Sequence, residues 1–166
     1  MASVTFAERM SGKFYFLREP LVELPIELEF EAHVRGKTFS SSRDSAPRAP
    51  RVLGRLRFAP QASVTGRIRA EGLADAPVQG TIDAAAFADK RIPYDLFFLG
   101  TDGQRYRLRG EKDLSWLAPF ETLVVLPFTI GRAGDVWTEI ARGTMRTHAD
   151  ARSLRAMVRS LRASPF

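Results

Sequence analysis

The feature that most constrains the fold of this chain is a predicted β-hairpin near its middle, at residues 91–112. Two runs of alternating apolar and polar residues flank the tetrapeptide Gly-Thr-Asp-Gly at 100–103. An Asp-Gly pair between two such runs is the strongest short-range signal for a hairpin turn. Alternation with a period of two then places the following side chains on one face: Tyr94, Leu96, Phe98, Tyr106, Leu108 and Gly110. The hairpin predicts an all-β domain.

Similar strand-like runs precede and follow the hairpin. They occupy residues 4–16, 26–35, 51–58, 62–72, 78–86, 122–130 and 136–146. In the last run, alternation puts Trp137 on the same side as Ala141, Gly143 and Met145. We therefore predict one domain spanning 1–166, folded as a mainly antiparallel β-barrel or a strongly curled β-sandwich of about eight or nine strands. Alternation alone does not separate these two architectures.

Two of these runs carry small residues at positions that should face inward. With the isoleucines between them, the predicted inward set is Gly66, Ile68, Ala70, Gly72, Gly80, Ile82 and Ala84. Small inward residues have two interpretations. They permit the strong curl of a closed barrel, or they leave room for a ligand in its mouth. We favour the curl.

The chain ends in the one helix that the sequence predicts, at residues 150–162. Its apolar stripe consists of Ala151, Leu154, Met157, Val158 and Leu161, and an adjacent stripe consists of Arg152, Arg155, Arg159 and Arg162. Because the run at 122–130 is apolar on both faces, we expect the helix to pack outside that strand. Alternatively, the four arginines dock on an acidic partner or an anionic surface. The Ser-, Pro- and Arg-rich stretch at 37–50 predicts a flexible surface loop.

Composition narrows the chemistry that the chain can perform. Its 166 residues carry a formal net charge of +6 and contain no cysteine, which rules out disulfides, thiolate metal sites and a cysteine nucleophile. Neither His33 nor His148 has metal-ligand spacing, and no Gly-x-Gly-x-x-Gly motif is present, so we predict no catalytic residue, no metal and no cofactor.

The arginines at 105, 107 and 109 face away from Tyr106, so we do not expect nucleic-acid binding. Without an apolar run of membrane-spanning length or a signal sequence, we expect a cytoplasmic protein.

Two charged residues break the alternation. Glu8 has the parity of Phe6 and Met10, and Lys112 has the parity of Leu108 and Gly110, so both should point to the apolar side. A charge in that position is costly unless it is paired. We therefore predict that Glu8 and Lys112 meet inside the barrel or at its rim, with Tyr94 or Tyr106 as a hydrogen-bond partner. The alternative is that β-bulges near Gly12 and Gly110 turn both side chains to solvent.

Four segments of the chain resemble an accessory β domain found with bacterial glucose-methanol-choline oxidoreductases of the cholesterol-oxidase type and with some hydrolase-like chains. They are FAERMSG from residue 6, GTIDAAAFADKRIPYDLFF from residue 80, DGQRYRLRGEK from residue 102 and ARGTMRTHADARSL from residue 141. The acidic residue of the family's first motif and the lysine after its hairpin map onto Glu8 and Lys112. The resemblance implies a non-catalytic domain that accompanies lipid- or sterol-handling enzymes, with an oxidoreductase or hydrolase as partner.

Three functions follow as expectations. The first is a non-catalytic binding module that holds a small apolar or lipid-like ligand in a barrel mouth lined by Glu8, Tyr94, Phe98, Tyr106 and Lys112. The second is a docking protein that uses the arginine-rich helix. The third is a small barrel enzyme with Glu8 or Lys112 as its acid or base.

Overall fold

A computed structural model describes residues 3–35, 61–83, 91–113, 124–134 and 136–148 of the protein. The described strands form a closed barrel in which each strand is antiparallel to the next and β8 pairs back on β1. The strands are β1 (Ser3–Phe16), β2 (Leu24–Arg35), β3 (Gln61–Ala70), β4 (Ala74–Asp83), β5 (Arg91–Leu99), β6 (Arg105–Asp113), β7 (Val125–Arg132) and β8 (Thr138–Thr147). Of the two predicted architectures, the barrel is confirmed. The predicted strand at 51–58, loop at 37–50 and helix at 150–162 lie outside the described residues.

The connections between strands alternate between the two ends of the barrel, because neighbouring strands run in opposite directions. At one end, hereafter the turn end, the described residues between consecutive strands are 17–23, 71–73, 100–104, 133–134 and 136–137. The predicted hairpin is one of these connections. Its turn is closed by the Gly103 N–H, which donates to the Gly100 carbonyl at 3.0 Å, and Gly103 has a φ of +75°. This is the left-handed region that glycine adopts without strain.

Alternation along each strand fills the barrel interior with apolar side chains. In the hairpin, Tyr94 lies opposite Gly110, Leu96 opposite Leu108 and Phe98 opposite Tyr106, so these six residues share one face, as predicted. The largest fully buried side chains are Met10, Phe14, Ile26, Leu28, Val64, Ile68, Ile82, Leu96, Leu108, Leu126, Ile130 and Met145. They come from every part of the barrel wall, so a single core holds the described strands together.

Two glycines of the barrel wall show why small inward residues are needed. A Cβ atom on Gly66 would lie 2.1 Å from the carbonyl oxygen of Glu29, and one on Gly80 would lie 2.1 Å from that of Asp95. Such distances are too short for any side chain, so the strands approach closely at both positions. This favours the curl interpretation. Gly72, predicted to lie in a strand, instead lies in a turn with a φ of +72°.

The start of β8 departs from the predicted alternation. Ile130 of β7 pairs with Ala141, but Gly131 pairs with Glu139, so Ile140 is an extra residue. This bulge reverses the parity of everything before it. Trp137 therefore lies on the outer face, where the Arg109 guanidinium covers its ring at 4.6 Å. The prediction that Trp137 faces the same side as Ala141 was wrong for this reason.

The described residues contain no helix with the length and apolar character of a membrane span.

Candidate functional site

A cluster of four polar side chains lies inside the barrel, and we call it the buried polar cluster. It consists of Glu8 on β1, Tyr94 on β5, Lys112 on β6 and Thr147 on β8. The pairings of β1 with β2 and of β5 with β6 run without a register shift. Both charged side chains therefore keep the inward parity of their apolar neighbours, and the alternative in which bulges turn them to solvent does not apply to these strands.

Three donors converge on the carboxylate of Glu8. The ammonium group of Lys112 forms an ion pair with Oε1, and Tyr94 donates its hydroxyl proton to Oε2 at 3.0 Å. Lys112 also donates to Oγ1 of Thr147 at 2.8 Å, and Thr147 in turn donates to Oε1 of Glu8 at 2.5 Å. The side chains of Lys112 and Glu8 are only 3% and 9% exposed. The predicted meeting of Glu8, Lys112 and one tyrosine is what the structure contains, with Tyr94 as the tyrosine.

Burial governs the protonation chemistry of this cluster. It lowers the pKa of Lys112, because loss of hydration outweighs the opposite effect of the Glu8 carboxylate. It raises the pKa of Tyr94 well above 10.0, and the negative charge of Glu8 adds to that rise. Tyr94 therefore acts as a neutral hydrogen-bond donor. Every buried side-chain nitrogen and oxygen among the described residues has a hydrogen-bond partner, so the cluster is satisfied internally.

The other two predicted ligand-binding residues lie elsewhere. Phe98 is four residues beyond Tyr94 on β5, or about 13 Å along the strand toward the turn end. Its ring stacks on that of Tyr106, with centroids 5.9 Å apart. The structure thus brings together Glu8, Tyr94 and Lys112 but separates them from Phe98 and Tyr106. The arginines predicted to form a docking surface, Arg152, Arg155, Arg159 and Arg162, lie outside the described residues.

Thr147 is the member of the cluster that sequence reasoning missed. The signal was present, since Thr147 has the parity of the inward residues Ala141 and Met145. A threonine at the end of a strand is usually solvated, however, and the sequence does not show that its hydroxyl faces a buried carboxylate. Only the closure of β8 onto β1 brings Thr147 to Glu8.

A second candidate site is a cavity of about 420 Å³ at the turn end, which we call the turn-end pocket. Its apolar lining consists of Phe16, Leu17, Leu73 and Ile140, and its polar lining includes Arg18, Thr101, Asp102, Tyr106, Arg132 and Glu139. The turn at 100–104 is anchored to the neighbouring turn, because the Thr101 N–H donates to the Leu73 carbonyl at 2.9 Å. The pocket is therefore bounded by turns that are hydrogen-bonded to each other.

Tyr106 is the most buried polar residue of this pocket. Its hydroxyl donates to Oδ2 of Asp102 at 2.7 Å, and the Gln104 N–H donates to Oδ1 at 3.0 Å. These bonds, chiefly that from Gln104, lower the pKa of Asp102. Burial and then the bond to Asp102 raise the pKa of Tyr106, while the guanidinium of Arg132 acts in the opposite direction. The pocket therefore has an ionised carboxylate, a neutral phenol and a nearby cation at its edge.

A shallower groove of about 780 Å³ lies on the outer wall of β5 to β8. It is lined by Pro127, Phe128, Gly110 and Gly143 and by the charged residues Asp95, Arg107, Arg109, Glu111 and Arg142. Much of the charge in the groove is neutralised within the chain. Arg107 forms a bidentate ion pair with Asp95, and Arg142 pairs with Glu139. The charged side chains of the groove are therefore partly neutralised, and Pro127 is the exposed apolar residue that β7 contributes to it.

No three His, Asp or Glu side chains of the described strands and turns lie close enough to hold a metal ion. Comparison of the whole chain with protein-family models finds no matching family, and comparison with curated proteins finds no significant match. The resemblance to the accessory domain of glucose-methanol-choline oxidoreductases therefore stays a prediction.

Proposed function

We propose that the protein is a non-catalytic binding module for a small apolar or lipid-like ligand, and that the turn-end pocket holds this ligand. The observation that carries the proposal is the make-up of the pocket. Phe16, Leu73 and Ile140 supply apolar walls, and the polar groups come from Arg18, Thr101, Asp102, Tyr106, Arg132 and Glu139. Small-molecule sites in proteins are concave and combine apolar walls with polar groups that fix the orientation of the ligand.

The buried polar cluster is a less suitable binding site. Its ammonium, carboxylate and two hydroxyl groups already bond to one another. A ligand would have to break these bonds and leave buried charges without partners, which costs several kcal/mol. We therefore assign the cluster to the stability of the barrel and the pocket to the ligand.

The lining of the pocket supports an amphiphile as the ligand. An aliphatic or ring-shaped body fits against Phe16, Leu73 and Ile140. A hydroxyl or carboxylate head would meet Arg132, which forms no ion pair shorter than 4.0 Å within the described residues. The volume of about 420 Å³ limits the enclosed part of the ligand to a small molecule or to one segment of a lipid.

The accessory role and the C-terminal helix belong to the same proposal. The resemblance described above supports an oxidoreductase or hydrolase that handles lipids as the partner of this domain. The helix predicted at 150–162 would pack on the outer groove, since the described chain leaves β8 at His148, beside β7, and the exposed Pro127 of β7 lines the groove there. The apolar stripe of the helix would cover this part of the groove.

The test of ligand binding begins with native mass spectrometry of the purified protein and organic extraction of any ligand that co-purifies. Binding is then titrated with dansyl-labelled undecanoic acid. Thr101 lines the pocket from an exposed turn, so Thr101→Trp should fill the mouth while the core stays intact. We expect at least about a tenfold loss of probe affinity, which corresponds to about 1.4 kcal/mol. The matched control is Thr65→Trp, at an exposed position on the outer wall of β3, which should bind the probe like the wild type.

Two results would overturn the proposal. One is a wild-type protein that carries no co-purifying ligand and shows no saturable binding of the probe. The other is equal affinity in the Thr101→Trp and Thr65→Trp variants, which would place any bound probe outside the turn-end pocket.

An acid–base enzyme is the second candidate, and the lowered pKa of Lys112 is the observation in its favour. The geometry gives it less support, because the amine that would act as a base is bonded to Glu8 and Thr147. Turnover of any ester or ketone substrate that is abolished by Lys112→Met in a folded variant would favour this candidate over the binding module.

A further inference from the structure

The exposed apolar residues of the barrel are gathered at one end. Five large aliphatic side chains of the described residues are exposed: Leu17 by 41%, Leu21 by 96%, Val22 by 49%, Leu99 by 57% and Val136 by 76%. Three of them belong to the connection between β1 and β2, Leu99 is the last residue of β5, and Val136 precedes β8. All five positions are at the turn end. Exposed apolar residues that concentrate in this way mark an interaction surface.

We infer that the turn end is a docking surface for a zwitterionic lipid bilayer, into which these aliphatic side chains insert. Their arrangement favours a fluid phase over a folded protein partner. They project from two connections and from the end of β5, and Leu21, at 96% exposed, makes almost no contact with the rest of the chain. A protein partner, including a second copy of this chain, buries a continuous and closely packed patch. A bilayer accepts separate apolar side chains without any complementary shape.

The charges at the turn end explain why the lipid should be zwitterionic. Two acidic residues there, Glu23 and Glu139, are paired with Lys13 and Arg142 of the barrel wall. The other charged residues among the described turns and the strand ends next to them are three arginines and three carboxylates, namely Arg18, Arg105, Arg132, Glu19, Glu71 and Asp102. This end therefore has no excess positive charge to select an anionic surface. Arginine side chains beside the aliphatic residues can extend to the phosphate level of a bilayer while their stems stay in apolar surroundings.

The turn-end pocket lies next to the docking surface. Leu17 and Arg18 both line the turn-end pocket and belong to the same connection as the most exposed aliphatic residue, Leu21. A bilayer docked on this end would face the pocket opening, so an amphiphile could pass from the bilayer into the pocket. This transfer rests on the proposed function, whereas docking itself is measured without any pocket ligand.

The experiment uses the absence of cysteine from the full chain. A single cysteine is introduced by Leu21→Cys at the turn end or, as the matched control, by Thr65→Cys at an exposed position on the outer wall. Each is labelled with a nitrobenzoxadiazole dye and mixed with dioleoylphosphatidylcholine vesicles. We expect a blue shift and an increase of emission for the label at 21 and little change for the label at 65. The response should persist at about 1 M salt, where charge interactions are screened within about 3 Å.

Flotation of the unlabelled protein with the same vesicles keeps the inference testable if a label disturbs binding. The double variant Leu21→Ser with Val136→Ser removes two exposed aliphatic side chains and should keep its folding, since neither belongs to the core. We expect its partition into the vesicles to fall at least about tenfold relative to the wild type.

Several outcomes would overturn the inference. They are the absence of wild-type flotation, unchanged flotation of the double variant, and an equal response of the labels at 21 and 65. Binding that requires dioleoylphosphatidylglycerol and is lost at high salt would overturn it as well, because arginines and not aliphatic residues would then be responsible. Saturable binding of the soluble dansyl probe together with no flotation would leave the proposed function standing and remove the docking surface.

Discussion

Lys112 and Glu8 are 104 residues apart in the chain and form an ion pair inside the barrel, with side chains only 3% and 9% exposed. The pair joins β6 to β1, which are not neighbours in the sheet. Removal of one partner leaves the other charge buried without compensation. We expect Glu8→Gln to lower the free energy of unfolding by about 3–5 kcal/mol in urea titrations.

The urea titrations of Glu8→Gln include two further variants, one as a control and one that should restore stability. Glu23→Gln breaks the ion pair between Lys13 and Glu23, whose side chains are 69% and 59% exposed, and should change stability little. The double variant Glu8→Leu with Lys112→Met replaces both charges by apolar groups and should recover most of the loss. Glu8→Gln with wild-type stability would show that the buried pair contributes nothing to the fold.

Lys112 should make the stability of the barrel depend on pH. Its pKa in the folded protein lies below 10.5, so at intermediate pH the unfolded chain binds a proton that the folded chain has released. Stability linked to Lys112 therefore rises as pH rises from the folded pKa toward 10.5. The contribution of Tyr94 to the pH dependence of stability has the opposite sign. Its raised pKa contributes stability that is present below pH 10.0 and is lost as pH rises through the folded value.

The check is the free energy of unfolding from pH 7 to pH 10 for the wild type and for the double variant Glu8→Gln with Lys112→Met. The free energy of unfolding of the wild type minus that of the double variant should increase as the pH rises. Lys13→Met is the matched control, since the pKa of Lys13 is raised and its contribution is lost only above pH 10.5. A flat difference for Lys112 across this range would contradict the lowered pKa.

Asp102 should make the turn at 100–104 sensitive to acid. The N–H of Gln104 and the hydroxyl of Tyr106 hold the pKa of Asp102 below 3.8. Its contribution to stability is present above that value and is lost as the pH falls through the folded pKa. The stability difference between the wild type and Asp102→Ala should therefore be constant above about pH 5 and shrink below pH 3.8.

Tyr106→Phe separates the two hydrogen bonds of Asp102. It removes the smaller of the two contributions, so the pKa of Asp102, followed by NMR titration, should rise only part of the way to 3.8. A complete return to 3.8 would mean that the bond from Gln104 has little effect.

Glycines of the barrel wall and of the turns should respond differently to alanine. A Cβ atom at Gly66 would lie 2.1 Å from the Glu29 carbonyl oxygen and 2.6 Å from Cα of Phe30, so Gly66→Ala should cost about 1–3 kcal/mol or more. At Gly103 there is space, but a φ of +75° is unfavourable for alanine by roughly 1–2 kcal/mol. Gly134 has neither restriction and serves as the control, with stability close to wild type. Equal stability of all three variants in urea titration would contradict the close approach of β2 and β3.

Alternation along the chain was sufficient to predict much of the fold. Strands β1, β2, β5 and β6 and the hairpin between the last two follow from it, because a period of two determines which side chains share a face. The same rule predicted the inward direction of Glu8 and Lys112. It failed at Trp137, since one extra residue at Ile140 reverses parity and leaves no mark in the residue types.

The sequence by itself determined the strands, the faces they bury and the need of two buried charges for partners. Tertiary structure decided which groups meet. Alternation is a local property, whereas the neighbours of a side chain across a barrel depend on the stagger of every strand and on the pairing of β8 with β1. Those long-range pairings brought Thr147 and Tyr94 to Glu8 and gathered the turns that carry Arg18, Leu73 and Thr101 around one pocket.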